Sequence, residues 1–306
     1  MSEQRYFIIV SLALATLCCT ALLYVTGLHL SISGVPLGLA ASVSVGLVCA
    51  SVSRPEFSEM LRRVVWLLEC LAYLSIASLV GSIASYPLAA LSDGWWDRQF
   101  LAADALLALD WRAYWNFSVS RPAIFRILSL AYGSFFYMPM LIVGALTLTG
   151  RLPQAYRFVS AFIIALVLTD VGMLVFPARS AAANLLPQDT PLAPLSGLLH
   201  IPVIEGLRDG SIRVIEVAQM NGLIAFPSFH AAASLLFMWG GWQVSMFRVG
   251  FLAVNGLMLA STPITGGHYF IDVLAGLAVA MVAIAMSYRV SRRRLPGSGH
   301  VVSCSA

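Results

Sequence analysis

Two short motifs near the C-terminal end of the chain carry residues that could do chemistry. The first, FPSFH, ends at His230, and the second, GGHYFIDVLAG, contains His268 and Asp272. Each histidine stands at the first turn of a predicted apolar helix, and Asp272 follows His268 by four residues, on the same helix face. A carboxylate there can hold one imidazole nitrogen and leave the other nitrogen free to react. We therefore predict that these three side chains form one reactive site.

The residues around the histidines suit the binding of an anion. Ser228 is the predicted N-cap of the helix that carries His230, and Gly266 and Gly267 allow a tight turn before His268. A helix start offers free backbone N–H groups and the positive end of the helix dipole, so a phosphate group is a suitable ligand. We expect Ser228 and Gly267 to contribute to substrate binding.

The composition of the 306-residue chain is that of a polytopic membrane protein. Hydrophobic residues make up 59% of it, charged residues 10%, and the mean hydropathy is +0.86, which is outside the range of soluble domains. All 18 basic residues are arginine, and they form no basic strip for nucleic acid. The five cysteines lie in apolar runs or in the tail and predict no disulfide framework.

Apolar windows near the ~20 residues needed to cross a bilayer predict about eight transmembrane helices. The windows lie at residues 6–28, 35–52, 64–87, 123–149, 158–176, 229–247, 249–264 and 269–288. We therefore predict an all-α membrane helical bundle. Its predicted parts are an N-terminal transmembrane pair at 1–60, a catalytic transmembrane domain at 61–290 and a basic cytoplasmic tail at 291–306.

Arginine placement predicts the orientation of the bundle, because short cytoplasmic loops retain positive charge. With the N-terminus inside, most arginines fall in short inner connections. Both termini are then cytoplasmic, and both histidine motifs lie at extracytoplasmic helix ends. Two long outer stretches follow from the same assignment: residues 88–122, with tryptophans and a predicted amphipathic helix in the headgroup layer, and the proline-rich residues 177–227, for which we predict a functional role.

The sequence FPSFHAA followed by HYFIDVLAG resembles the type 2 phosphatidic acid phosphatase (PAP2) superfamily. It is most similar to the branch of inositolphosphorylceramide synthases and related bacterial membrane proteins, and HYxxD also resembles the sphingomyelin synthases. The earlier segments DALLALDW, AYGSFFYMP and VFPA are similar to that branch too, so the likeness extends from about Asp97 to Gly276. The resemblance implies a PAP2-like six-helix core with two additional N-terminal helices, in a bacterial inner (plasma) membrane.

The resemblance also implies a mechanism and a substrate class. By it, His268 attacks phosphorus to form a phosphohistidine, Asp272 orients that imidazole, and His230 protonates the leaving alcohol. It implies no metal and no cofactor, and it implies a membrane phospholipid or lipid phosphate as substrate. The acceptor stays open: water makes the protein a phosphatase, and a second alcohol makes it a phosphotransferase of the inositolphosphotransferase type.

The sequence departs from the phosphatases of this superfamily in its cationic residues. Those enzymes carry KxxxxxxRP before the histidine motifs, but neither Arg-Pro pair of this chain, at 54–55 and 121–122, has a basic residue seven positions earlier. Developing negative charge on the phosphoryl group must then be stabilised by other donors. We expect Arg179, just after VFPA, to substitute, with Arg208 and Arg213 as weaker candidates.

Two charged residues fall inside predicted spans, where unpaired charge is costly. Asp170 is expected to bond a substrate hydroxyl, to hold Arg179, or to pair structurally. Glu69 is expected to pair with Arg62 or Arg63. Outside the spans, the histidines at positions 29 and 200 have no partner motif, and we expect them to be interfacial.

Two other classes of function fit the same residues. A membrane transporter or binding protein for a phosphorylated lipid or solute could use the two helix starts to hold the phosphate. A metal site could use His230, His268 and Asp272 as ligands, although the chain contains no HExxH motif.

Overall fold

The structure is a computed structural model, and it describes residues 3–32, 57–187, 196–220 and 222–290. It is all-α and 80% helical, so the predicted fold class is confirmed. The α-helices, in chain order, are α1 (Glu3–Thr26), α2 (Glu59–Leu91), α3 (Asp97–Leu106), α4 (Trp111–Val119), α5 (Pro122–Gly133), α6 (Met138–Leu148), α7 (Leu152–Val175), α8 (Ala181–Leu185), α9 (Ser196–Asp209), α10 (Phe229–Trp242), α11 (Arg248–Thr265) and α12 (Phe270–Val290). Single 3-10 turns lie at Ser134–Phe136, Val217–Gln219 and Ser245–Phe247.

Within the described residues, five helical segments are long and apolar enough to cross a membrane. They are α1, α2, α7, α12 and the segment Ser245–Thr265, which contains α11. A sixth span results if α5 and α6, which meet at a bend of 57°, form one broken span.

Two of the eight predicted windows are not among these spans. The window at 35–52 lies outside the described residues. The window at 229–247 contains α10, which has 14 residues and at the usual helical rise is about 21 Å long. This is shorter than the hydrocarbon core of a bilayer, about 30 Å.

Helix α7 lies at the centre of the bundle and packs against α1, α2, α6, α10 and α12. Its apolar residues are buried along most of its length, and its aromatic rings pack on those of α10: the rings of Phe162 and Phe237 are stacked with centroids 6.5 Å apart. Burial on nearly all sides explains why α7 shows no amphipathic pattern in the sequence.

A buried ion pair ties the N-terminal helix to this core. Arg5 Nε of α1 lies 2.6 Å from Glu69 Oε1 of α2. The hydroxyl groups of Tyr73 and Tyr156 also donate to the Glu69 carboxylate, at 2.7 and 3.1 Å. The predicted partner of Glu69, Arg62 or Arg63, was therefore wrong: the carboxylate points toward α1 and α7.

The C-terminal end of α1 is fixed by a small parallel ribbon that the sequence did not predict. Strand β1 (His29–Ser31) pairs with β2 (Val214–Glu216), with His29 opposite Val214 and Ser31 opposite Glu216. Arg213 Nη1 also donates to the carbonyl of Thr26 at 3.1 Å. The described parts of the long stretch 177–227 are thus folded, with α8, α9 and β2 packed at the end of the bundle that carries the histidine motifs.

Candidate active site

His268 and Asp272 form a buried pair at the start of α12. His268 Nδ1 lies 3.4 Å from Asp272 Oδ2, an ion-pair distance without the alignment of a good hydrogen bond. The same carboxylate oxygen accepts from the backbone N–H of Tyr269 at 2.9 Å. This backbone bond fixes the carboxylate beside the imidazole, in the arrangement that the i, i+4 spacing predicts.

A second aspartate, Asp104 of α3, holds the first turn of α12 from outside the motif. Its Oδ2 accepts from the N–H of Phe270 at 2.9 Å and its Oδ1 from that of Ile271 at 2.8 Å. Burial raises the pKa of Asp104, and the two backbone hydrogen bonds oppose this shift. Since a carboxylate already satisfies these amides, the start of α12 is not open to a phosphate.

Behind His268 lies a buried network around Tyr269. The Tyr269 hydroxyl donates to Asp97 Oδ1 at 3.0 Å and accepts from Asn184 Nδ2 at 2.6 Å. Asp97 also accepts from the backbone N–H groups of Arg179 and Ser180. Burial raises the pKa of Tyr269, so the phenol stays protonated and serves as a neutral donor. The network fixes the turn before α12 against α3 and the chain that follows α7.

The two histidine motifs are joined directly through Ser228 and Gly276. Ser228 caps α10 as predicted, because its Oγ accepts from the N–H of Ala231 at 3.3 Å. Its own N–H donates to the backbone carbonyl of Asp272 at 3.0 Å. A Cβ added at Gly276 would stand 2.3 Å from the carbonyl oxygen of Ser228. The glycine therefore permits the close approach that brings the start of α10 onto α12.

Tyr132 of α5 connects the two imidazoles. Its ring stacks on that of His230 at a centroid distance of 4.1 Å, and its hydroxyl lies 3.3 Å from His230 Nδ1. A Cβ added at Gly266 would lie 2.8 Å from the Tyr132 hydroxyl and 2.7 Å from His268 Cδ2. The structure therefore brings both predicted histidines to one place, around Tyr132 and Gly266.

The start of α10 has free backbone N–H donors, whereas those at the start of α12 are already bonded to aspartates. The Ser228 cap takes the N–H of Ala231, and the carbonyl of Ser228 takes that of Ala232. The N–H groups of Phe229 and His230 have no acceptor among the residues that the structure describes. Together with the helix dipole, these two donors offer an anion site beside the His230 imidazole.

The side chains of two predicted binding residues make no described contact with His230, His268 or Tyr132. The Arg179 guanidinium donates to Glu205 Oε1 at 2.9 Å. Asp170 is buried, with Gly81 of α2 and Cys19 of α1 as neighbours, so it does not hold Arg179. Its Oδ1 has no hydrogen-bond partner among the described residues. Gly267, another of the four predicted binding residues, adopts a positive φ of 68° in the turn before His268, the conformation for which a glycine is suited.

His200 of α9 was wrongly predicted to be interfacial. It is buried, with Nε2 3.4 Å from the carbonyl of Ala178, and burial lowers its pKa to about 4. It therefore stays neutral at physiological pH. No motif around position 200 indicated this.

A family model, described as the PAP2 superfamily, matches residues 98–286. The chain belongs to the PAP2 superfamily. The match covers more than half of the chain and includes both histidine motifs, Tyr132 and Asp104, whereas α1 and α2 lie before it. PAP2 membership indicates phosphatase or phosphotransferase activity on phosphate esters. No curated protein and no solved structure matches the chain. The inositolphosphorylceramide synthase-like branch stays a prediction.

Proposed function

We propose that the protein catalyses metal-independent phosphotransfer on membrane lipid phosphate esters at the extracytoplasmic face, through a phosphohistidine intermediate. One observation carries this proposal: His230 and the His268–Asp272 pair meet around Tyr132 and Gly266. A nucleophile with an orienting carboxylate, and a second imidazole for proton transfer, are the groups that a two-step phosphoryl transfer needs.

In the proposed first step, His268 Nε2 attacks phosphorus, a nitrogen–phosphorus bond forms, and the phosphorus–oxygen bond to the lipid alcohol breaks. Asp272, beside Nδ1, stabilises the positive charge that develops on the ring. His230 donates its proton to the leaving alkoxide. In the second step, His230 takes a proton from the acceptor, whose oxygen attacks phosphorus and releases His268.

We propose that the free amides of Phe229 and His230 bind the non-bridging phosphoryl oxygens. Backbone N–H groups fixed at a helix start stabilise charge without reorganising during the reaction, and they take over part of the role of the missing cationic residues. Ser228 would contribute by fixing this first turn, and Gly267 by allowing the turn before His268. Tyr132 is a positioning residue in this scheme, because its hydroxyl and ring hold the His230 imidazole.

The substrate roles of Arg179 and Asp170 are further parts of the proposal. The exposed Arg179–Glu205 pair is weak enough for a substrate anion to displace the carboxylate. The unpartnered Oδ1 of Asp170 supports a role in accepting from a substrate hydroxyl. The absent KxxxxxxRP motif supports an inositolphosphotransferase-like enzyme over a plain phosphatase. The arginine distribution supports cytoplasmic termini, and the likeness to bacterial proteins supports the inner (plasma) membrane.

The proposal is tested with purified protein in detergent and a panel of lipid phosphates and phosphodiesters, with and without diacylglycerol as acceptor. Wild-type protein should release phosphate or phosphoalcohol in the presence of a chelator, and vanadate should inhibit it. His268→Ala should lower the rate on the order of 10³-fold or more. His29→Ala, which changes an exposed histidine on β1, is the matched control and should retain the rate.

Covalent labelling separates this mechanism from the alternatives. When the reaction of wild-type protein with a ³²P-labelled substrate is quenched, acid-labile label should remain on the protein. The His268→Ala protein should retain no label. Full activity of His268→Ala would refute the assigned nucleophile. Uptake of an intact phosphorylated solute without turnover would instead identify a transporter. Loss of activity on chelation, with recovery on adding zinc, would identify a metal enzyme.

A further inference from the structure

Two guanidinium groups converge on one tryptophan ring beside the candidate active site. The Cζ atoms of Arg208 and Arg179 lie 4.3 and 5.2 Å from the centroid of Trp95. Trp95 follows α2, Arg179 follows α7, and Arg208 is in α9, so three separate parts of the chain contribute. Arginine stacked on an aromatic face is a stable arrangement, but two like charges that share one ring repel each other.

Only one of the two guanidinium groups has a described carboxylate within ion-pair distance. Arg179 pairs with the exposed Glu205. Arg208 Nη2 donates to the neutral Ser92 hydroxyl at 2.8 Å, and no described carboxylate lies within ion-pair distance of it. Asp93 is the other acidic neighbour, and its Oδ1 accepts from a backbone N–H.

Both arginines also retain unused donors. The Nε atoms of Arg179 and Arg208 are buried and have no hydrogen-bond acceptor among the described residues. Burial lowers the pKa of Arg208. The charges of Asp93 and Glu205 oppose this shift, and the charge of Arg179 adds to it. The Nε atoms of Arg62, Arg63 and Arg157 are in the same state, so what distinguishes Arg179 and Arg208 is the ring that they share and the neutral partner of Arg208.

An oxyanion between the two guanidinium groups would relieve their repulsion and accept hydrogen bonds from both. Phosphate oxygens match the forked donors of arginine, and charge-assisted hydrogen bonds of this kind are among the strongest in proteins. We propose that Trp95, Arg179 and Arg208 form a second anion site, which binds a phosphate or phosphodiester group of the substrate other than the one that reacts.

The cluster is tied to the histidine site by a short chain of hydrogen bonds. The N–H of Arg179 donates to Asp97, and Asp97 accepts from the hydroxyl of Tyr269, the residue after His268. A ligand at Trp95 would therefore bind next to the network that positions the nucleophile. The inference rests on the proposed function and narrows it: the preferred substrate is a lipid that carries two phosphate groups.

The kinetic test compares two lipids in the same detergent micelles. Dioleoyl phosphatidylglycerol phosphate has a phosphomonoester and a phosphodiester, and dioleoyl phosphatidic acid has a single phosphate. Arg208→Gln should raise the KM for the first lipid about tenfold, the effect of losing one charge-assisted contact. Its kcat, and the KM for phosphatidic acid, should change less than about twofold, because the reacting phosphate is bound elsewhere.

The matched control is Arg112→Gln, which removes an exposed guanidinium of α4. Helix α4 lies at the same end of the molecule, because its Tyr114 ring contacts Phe270, and Arg112 has no described contact with Trp95. The variant should leave both KM values unchanged. Equal KM changes for the two lipids in Arg208→Gln, or no change for either, would overturn the second anion site.

A binding measurement separates failure of the site from failure of the proposed function. Radiolabelled phosphatidylglycerol phosphate is titrated against the His268→Ala protein, which should not turn it over. Adding Arg208→Gln to that variant should weaken binding about tenfold. If wild-type protein turns over neither lipid, the proposed function fails for them, while this binding difference still supports the anion site. Identical binding with and without Arg208 would overturn it.

Discussion

Helices α10 and α12 both begin beside a histidine, but their first turns are satisfied in opposite ways. At α12, two aspartates accept from three consecutive N–H groups, those of Tyr269, Phe270 and Ile271. At α10, the Ser228 cap leaves two N–H groups free. The difference supports the proposed roles of the two helix starts: the amides of α12 are occupied by aspartates beside His268, and the two free amides of α10 are available to the proposed phosphate.

Among the residues that position the two helix starts, those at the junction between the starts should be the most sensitive to substitution. Gly276→Ala would place a Cβ 2.3 Å from the Ser228 carbonyl oxygen, and backbone cannot yield as a flexible side chain can. We expect the two starts to separate and the activity to fall on the order of 100-fold, the effect of displacing reacting groups by about 1 Å. Steady-state phosphate release from lipid micelles measures the loss.

The control for this junction is Gly256→Ala in α11, where an added Cβ meets nothing within 4 Å. It should keep full activity, because alanine is the better helix former. Thermal unfolding in detergent shows whether Gly276→Ala is folded at the assay temperature. A folded Gly276→Ala protein with wild-type activity would show that the junction between the two helix starts does not position the active site.

The second largest loss of activity is expected from a change at the start of α12. Asp104→Asn replaces two acceptor oxygens with one acceptor and one donor, so one of the N–H groups of Phe270 and Ile271 loses its partner. An unpaired buried donor costs about 1–3 kcal/mol, and we expect His268 to be less well held, with kcat about tenfold lower. Asp110→Asn is the comparison, because Asp110 caps α4 through Ala113; it should change kcat little. Equal losses in the two variants would contradict a specific role for Asp104.

The sequence predicted the parts of the site that depend on local spacing. The pairing of His268 with Asp272 follows from four residues on one helix, and the Ser228 cap follows from a serine before an apolar run. Asp97, Asp104 and Tyr132 were missed as site residues because each contacts residues more than ninety positions away. No periodicity within a helix encodes such a contact.

The same distinction applies to the fold. Hydropathy identified the long helices, because an apolar run is a local property. It did not show that Glu69 pairs with Arg5 across α1 and α2, or that β1 pairs with β2, because both depend on where distant segments meet. His200 was misjudged for the same reason: its burial is produced by the folding of α9 against the chain after α7.

The smallest loss of activity is expected from a change beside the start of α10, at Tyr132. Tyr132→Phe keeps the ring that stacks on His230 and removes only the hydroxyl 3.3 Å from Nδ1. Loss of one hydrogen bond of about 1 kcal/mol predicts about a fivefold fall in kcat/KM. Tyr114→Phe, which removes a hydroxyl bonded to the Ala260 carbonyl, should leave kcat/KM unchanged.

The pH profile tells whether Tyr132 acts on the proton-transfer group or only on packing. For His230 to donate a proton it must be protonated, and Nδ1–H then donates to the Tyr132 oxygen. In the neutral ring Nδ1 can instead accept from the Tyr132 hydroxyl, but the bond from the protonated ring is charge-assisted and the stronger of the two. Tyr132→Phe therefore destabilises the protonated ring more than the neutral one, and the alkaline limb of the kcat/KM profile should move to lower pH. An equal loss of kcat/KM at every pH would mean that the hydroxyl only supports the fold. Tyr132 of α5 would then have no effect on the proton transfer by His230.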